Sequence, residues 1–155
     1  MTRMRRPAAG AIVIALAVPG GAQALDLLVR DCDAPQANAR YLSFPYENTT
    51  RTFANGDVRI LSLQQDEPAC CGAHVMVLLP SPEDPGMICA FVTTPDGMGW
   101  QGTDLRGTVA DYDPSRGLFL RIPAWTYGEV HGSPFSLDLT INQQTGVVTA
   151  EEGPP

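Results

Sequence analysis

Phe135-Ser136-Leu137-Asp138-Leu139-Thr140-Ile141 alternates large apolar residues with polar ones over seven positions. An extended chain turns successive side chains to opposite faces. The stretch therefore reads as a half-buried strand, with Phe135, Leu137, Leu139 and Ile141 inward and Ser136, Asp138 and Thr140 outward. On a helix the same four apolar residues would scatter around the axis. Residues 142–146 (Asn-Gln-Gln-Thr-Gly) supply a turn, and Val147-Val148-Thr149 brings the chain back as the second arm of a hairpin.

The same grammar extends through the rest of the chain. Asn55-Gly56, the favoured pair of a two-residue hairpin turn, links 49–54 to 57–63. Apolar runs at 73–79 and 87–93 flank Ser81-Pro82-Glu83-Asp84-Pro85-Gly86, which is turn chemistry throughout. Asp96-Gly97 marks a turn before Trp100, and residues 113–117 separate runs at 103–110 and 118–122. A short helical turn is expected over 35–41, with Asp33 as its N-cap. With 14 prolines and 15 glycines and no long stretch of 3.6-residue period, the expected fold is all-β. Strands roughly every ten residues indicate a single antiparallel β-sandwich or small β-barrel, largely a meander.

Residues 1–24 read as a cleavable signal peptide. Arg3, Arg5 and Arg6 precede an apolar run from Ala8 to Val18, Pro19-Gly20-Gly21 breaks it, and Ala22-Gln23-Ala24 is a small-x-small site. The apolar run is well short of the roughly 20 residues that span a bilayer. Cys32 follows Val29-Arg30-Asp31 rather than a lipobox, so no membrane anchor is expected after cleavage. The expected organisation is a signal peptide (1–24), one β domain (25–150) and a flexible C-terminal tail (151–155). The address is periplasmic if the source is bacterial, as an alanine- and arginine-rich, lysine-free composition suggests. Otherwise it is extracellular, and Asn48-Thr49-Thr50 becomes a glycosylation sequon.

Cleavage would sharpen the charge. Removing three of the ten basic residues leaves seven arginines against 17 acidic residues, a net charge of about −10 where the whole chain carries −7. Such a field repels phosphate backbones and anionic lipid heads, which argues against nucleic acid as a partner.

Cys32, Cys70, Cys71 and Cys89 form an even set, and in an oxidising compartment disulfides are the default. Two arguments about their pairing collide. Bridging the neighbours Cys70 and Cys71 closes a strained ring, which favours a distant partner for each. The 73–79/87–93 hairpin argues the reverse. If Leu79 faces Ile88, Cys89 lies opposite Leu78, about seven residues up the strand from Cys71 and more than about 20 Å away at 3.3 Å per residue. A disulfide needs Cα atoms within about 7 Å. A regular hairpin therefore implies Cys32–Cys89 with a vicinal Cys70–Cys71, an irregular one leaves two long-range bridges open, and free thiols are the remaining alternative.

Few residues suggest chemistry. Cys70-Cys71 with His74 offers three soft ligands, but the C-x-x-C spacing of thiol oxidoreductases is absent and a zinc site wants about four ligands. His131 and Ser133 lack a G-x-S-x-G elbow. Asp111-x-Asp113-x-Ser115 imitates the start of a calcium loop, but Arg116 stands where the bend needs glycine and Ile122 where a glutamate should close it. An Asx-turn explains the same residues. No P-loop, dinucleotide fingerprint or H-E-x-x-H occurs, so no cofactor is indicated. Tyr41, Phe44, Tyr46, Trp100, Trp125 and Tyr127 could form an aromatic contact face, although with so few aromatics core packing explains most of them better, and Trp125 with Tyr127 is the candidate binding surface if that side of the strand meets solvent. The expected function is a non-catalytic binding or envelope-accessory domain for a protein, peptide or glycan. Its rivals are a carboxylate-based hydrolase or a Cys70/Cys71 thiol or metal protein, and a structural subunit of an envelope assembly.

Overall fold

The computed structural model describes residues 28–65, 71–128 and 132–155. The signal-peptide reading of residues 1–24, together with Cys70 and His131, lies outside the described residues. Two five-stranded antiparallel sheets make up the domain, so the sandwich and not the closed barrel is the observed alternative.

Sheet one contains β1 (Leu28–Asp31), β2 (Thr50–Phe53), β3 (Val58–Gln64), β4 (Ala73–Pro80) and β5 (Met87–Thr93), in the order β1-β5-β4-β3-β2. Sheet two contains β6 (Gly102–Thr103), β7 (Val109–Asp113), β8 (Gly117–Trp125), β9 (Pro134–Asn142) and β10 (Val147–Gly153). Its order is β10-β9-β8, with β6 and β7 sharing the far side of β8. Apart from β1, which returns to pair with β5, the sequence of hairpins is the expected meander.

β9 is the strand that its alternation dictates: Phe135, Leu137, Leu139 and Ile141 are all in the core. They meet Leu118, Leu120, Ile122 and Ala124 of β8 and the inward residues of sheet one, including Val58, Ile60, Val75, Val77 and Leu79. Each such side chain withdrawn from water contributes roughly 1.5–3 kcal/mol. Polar seams cross between the layers at their rims. Ser62 and Thr103 share a 2.7 Å hydroxyl contact, and the Trp100 indole donates to Glu152 Oε1 at 3.2 Å. Arg51 Nη1 donates to the carbonyls of Leu105, Arg106 and Thr108 at 3.0–3.3 Å.

Several local expectations shift. The β2–β3 hairpin forms, but Phe53 pairs with Val58, so four residues rather than two make its loop, and Ala54 and Asn55 both take positive φ. The run at 103–110 breaks between β6 and β7. There Asp104 Oδ1 accepts from the Arg106 amide and Leu105 plunges into the core, which takes these residues out of line with a strand. The helical turn moves to a 3-10 turn at Ala39–Tyr41, capped by Asn38 rather than Asp33. The tail expected from 151 begins later, because Glu151, Glu152 and Gly153 pair with Asp138, Leu137 and Ser136 as the end of β10.

Candidate binding cleft

Sheet one is buried on both faces. Even-numbered residues of β4 (His74, Met76) and odd-numbered residues of β5 (Phe91, Thr93) point away from sheet two, yet all are buried. The cover is the segment after β1. Its Ala34, Ala37, Tyr41 and Leu42 pack on Leu63, Met76 and Phe91, forming a second, smaller core. The register of β1 against β5 runs from Leu28↔Thr93 to Asp31↔Ala90, and one step further sets Cys32 opposite Cys89. The two are disulfide-bonded with their Cα atoms 5.6 Å apart. The β4–β5 register is the regular one, with Leu79↔Ile88 and Leu78↔Cys89. Cys71 is also a disulfide-bonded half-cystine.

At the margin of this cover the chain builds a cleft. After the 3-10 turn, Leu42 pairs with Leu63 in an isolated bridge and holds the segment against β3 beyond the point where β2 stops. Residues 43–50 are then cross-tied: Thr49 Oγ1 donates to the Ser43 carbonyl at 3.0 Å and Thr50 Oγ1 to the Tyr46 carbonyl at 2.8 Å, around the short helix α1 (Tyr46–Thr49). Residues 40–44 with Gln64 and Gln65 enclose a cleft of about 560 Å³. That volume lies within the range of small-ligand sites. At its mouth Phe44 is 79% exposed and packs against Tyr46, itself 49% exposed, with ring centroids 4.2 Å apart. Among the described lining residues Arg40 is the one charged side chain, and its guanidinium lies 5.6 Å from the centre of the Tyr41 ring.

The six aromatics singled out in the sequence thus separate. Tyr41, Phe44 and Tyr46 gather at the cleft, whereas Trp100 is a core residue. Trp125 and Tyr127 do not share a strand, because β8 ends at Trp125. Trp125 is half-buried between a 370 Å³ hollow formed with Gln101, Gly102 and Gly132 and a 190 Å³ apolar groove whose walls include Val109, Pro134 and Pro155. Tyr127 stands exposed beyond the strand. Gln64, Gln65, Ser43 and Arg40 escaped the sequence reading; no local pattern marks them, since only the Leu42–Leu63 bridge brings them together.

The reactive candidates fare differently. His74 is fully buried, with Nδ1 2.8 Å from Thr93 Oγ1 and no partner for Nε2 among the described residues. Burial lowers its pKa to about 4, so the imidazole is neutral at pH 7. Gly99 seals it in: at φ +83°, a Cβ there would lie 2.6 Å from the Ala73 carbonyl and 2.7 Å from the imidazole Cε1. The calcium-like Asp113 is an Asx-turn residue whose Oδ1 accepts from the Ser115 amide at 2.8 Å and from its hydroxyl. Those bonds hold its carboxyl below the usual range, the opposite of what a general acid requires. Among the described residues no group of three or more His, Cys, Asp or Glu is placed to hold a metal ion, and no helix is long and apolar enough to cross a membrane.

Together these features define a two-sheet β-sandwich with a disulfide-tied cover and an aromatic-rimmed cleft. Comparison with protein-family models, with curated proteins and with solved structures finds no match to this chain.

Proposed function

We propose that this is an exported, non-catalytic binding domain of the cell envelope whose contact surface is the cleft between residues 40–44 and the end of β3. The observation that carries the reading is the exposed Phe44–Tyr46 pair at the mouth of a cleft that presents neutral hydrogen-bonding groups. Large aromatics left exposed beside a cleft are residues of the type that dominates contact surfaces once a partner covers them. Export is supported by the charged, apolar and small-residue succession of residues 1–24 and by the Cys32–Cys89 bridge, a bond that persists in oxidising compartments.

A photoreactive side chain at Ser43 tests the surface in cells, with a second at Thr149 on β10 as its counterpart on the other sheet. Crosslinking of an envelope component from Ser43, lost when Phe44→Ala is added, is the expected result. No adduct from Ser43 would overturn the reading. Adducts to another copy of the chain from Thr149 alone would replace it with the structural-subunit role.

A further inference from the structure

We infer that the ligand of this cleft is a neutral glycan, and the inference rests on the binding reading above. Three features point the same way. The first is the pairing of an aromatic surface with planar amides. Pyranose rings carry C–H groups that pack on an aromatic face and hydroxyls around their edge. Phe44 and Tyr46 offer the face, while Gln64, Gln65 and Ser43 offer both donors and acceptors. The second is charge. Arg40 is the single charged group among the described lining residues and the chain as a whole carries −7, so neither sign of charge is concentrated there to select an ionic ligand.

The third feature concerns the main rival, a peptide. An extended peptide binds most simply by adding a strand to a free sheet edge. Beside this cleft that edge of β3 is taken, by β2 up to Leu61 and by Leu42 at Leu63. Immediately before Leu42 the chain curls into the 3-10 turn at Ala39–Tyr41 instead of continuing as a strand. What remains open is a pocket between side chains, suited to a compact ring and not to a strand.

Titration of the purified exported chain with triacetylchitotriose and with maltotriose, followed by calorimetry and by NMR shifts of the tyrosine and phenylalanine rings, tests the inference. Saturable binding of at least one of these sugars is expected, with shifts at Tyr41, Phe44 and Tyr46. Phe44→Ala should weaken it about tenfold, the scale of one aromatic contact. Tyr127→Ala should leave it unchanged. Phe44 is largely exposed, so its truncation should preserve the thermal midpoint, which separates lost binding from lost folding. Binding of neither sugar, or binding indifferent to Phe44→Ala, would overturn the inference. A polypeptide adduct from Ser43 would overturn it too while leaving the binding role intact, whereas absence of any adduct there removes the binding role itself.

Discussion

Phe91 and Phe119 both stand on the outward side of an interior strand, one in each sheet, yet Phe91 is sealed from water and Phe119 is only half-buried. The difference lies in what covers them. Over Phe91 lies the segment after β1, held by the Cys32–Cys89 bridge and seated on its own apolar contacts. The outward face of sheet two is stabilised from within. Arg121 lies near the Phe119 ring and clasps Asp138 through two hydrogen bonds, Nε to Oδ1 at 3.0 Å and Nη2 to Oδ2 at 2.7 Å. Asp138 holds the guanidinium more firmly protonated, and the carboxylate itself is only 5% exposed. Gly153 of the neighbouring strand leaves the room this needs, for a Cβ there would lie 2.8 Å from Asp138 Oδ2. One sheet is thus roofed by chain and the other by an ion pair, and the roofed sheet is the one that carries the cleft.

Four measurements separate the two outward faces. The largest effect is expected from Phe91→Ala, which empties a roofed site and should cost about 3–5 kcal/mol in chemical denaturation. A cost below that of the same truncation at Phe119 would mean that the cover does not seal. Next comes Cys32→Ser with Cys89→Ser. These cysteines are 57 positions apart, and loss of a bridge of that span should cost about 2–4 kcal/mol. It should also open residues 33–45 to limited proteolysis; unchanged protection would show that apolar contacts alone hold the roof.

A third effect is pH-dependent. His74 is neutral where it is buried beside Phe91 and Gly99, with its pKa lowered to about 4 from an ordinary 6.5. The unfolded chain therefore takes up the proton first. Its contribution to stability is complete above pH 6.5, declines as the pH falls from 6.5 to 4, and is lost below that. His74→Leu should flatten the unfolding midpoint across that window, and a slope as steep as before would assign it to other groups. Smallest is Phe119→Ala, expected to cost no more than about 1 kcal/mol because the ring is already in contact with water.

The cleft residues show why the candidate site was only half legible. Tyr41, Phe44 and Tyr46 stood out by type, because large aromatics are few in this chain. Their partners Gln64 and Gln65 looked like the polar end of a strand, which they also are. Nothing within a ten-residue window distinguishes a glutamine facing bulk water from one facing a cleft. The shared strand face expected for Trp125 and Tyr127 does not form for a related reason: period-2 reasoning holds only while the strand lasts, and β8 stops at Trp125.

What the sequence determined by itself was set by short-range rules. Alternation at 135–141 placed β9 and its inward face, and the turn residues at 81–86 fixed the β4–β5 register, because side-chain direction and turn geometry are decided within a few bonds. From that register alone a regular hairpin carried Cys89 out of reach of Cys71 and toward Cys32. Only the tertiary structure decided which polar residues would be buried. Ser136 and Asp138 obey the outward half of the alternation and are nonetheless hidden, by Gly153 and Arg121 from neighbouring strands, and His74 is hidden among Phe91, Thr93 and Gly99, all distant from it in the chain. Burial depends on what the rest of the chain brings alongside, and that is a property of the assembled sheets rather than of any local run of residues.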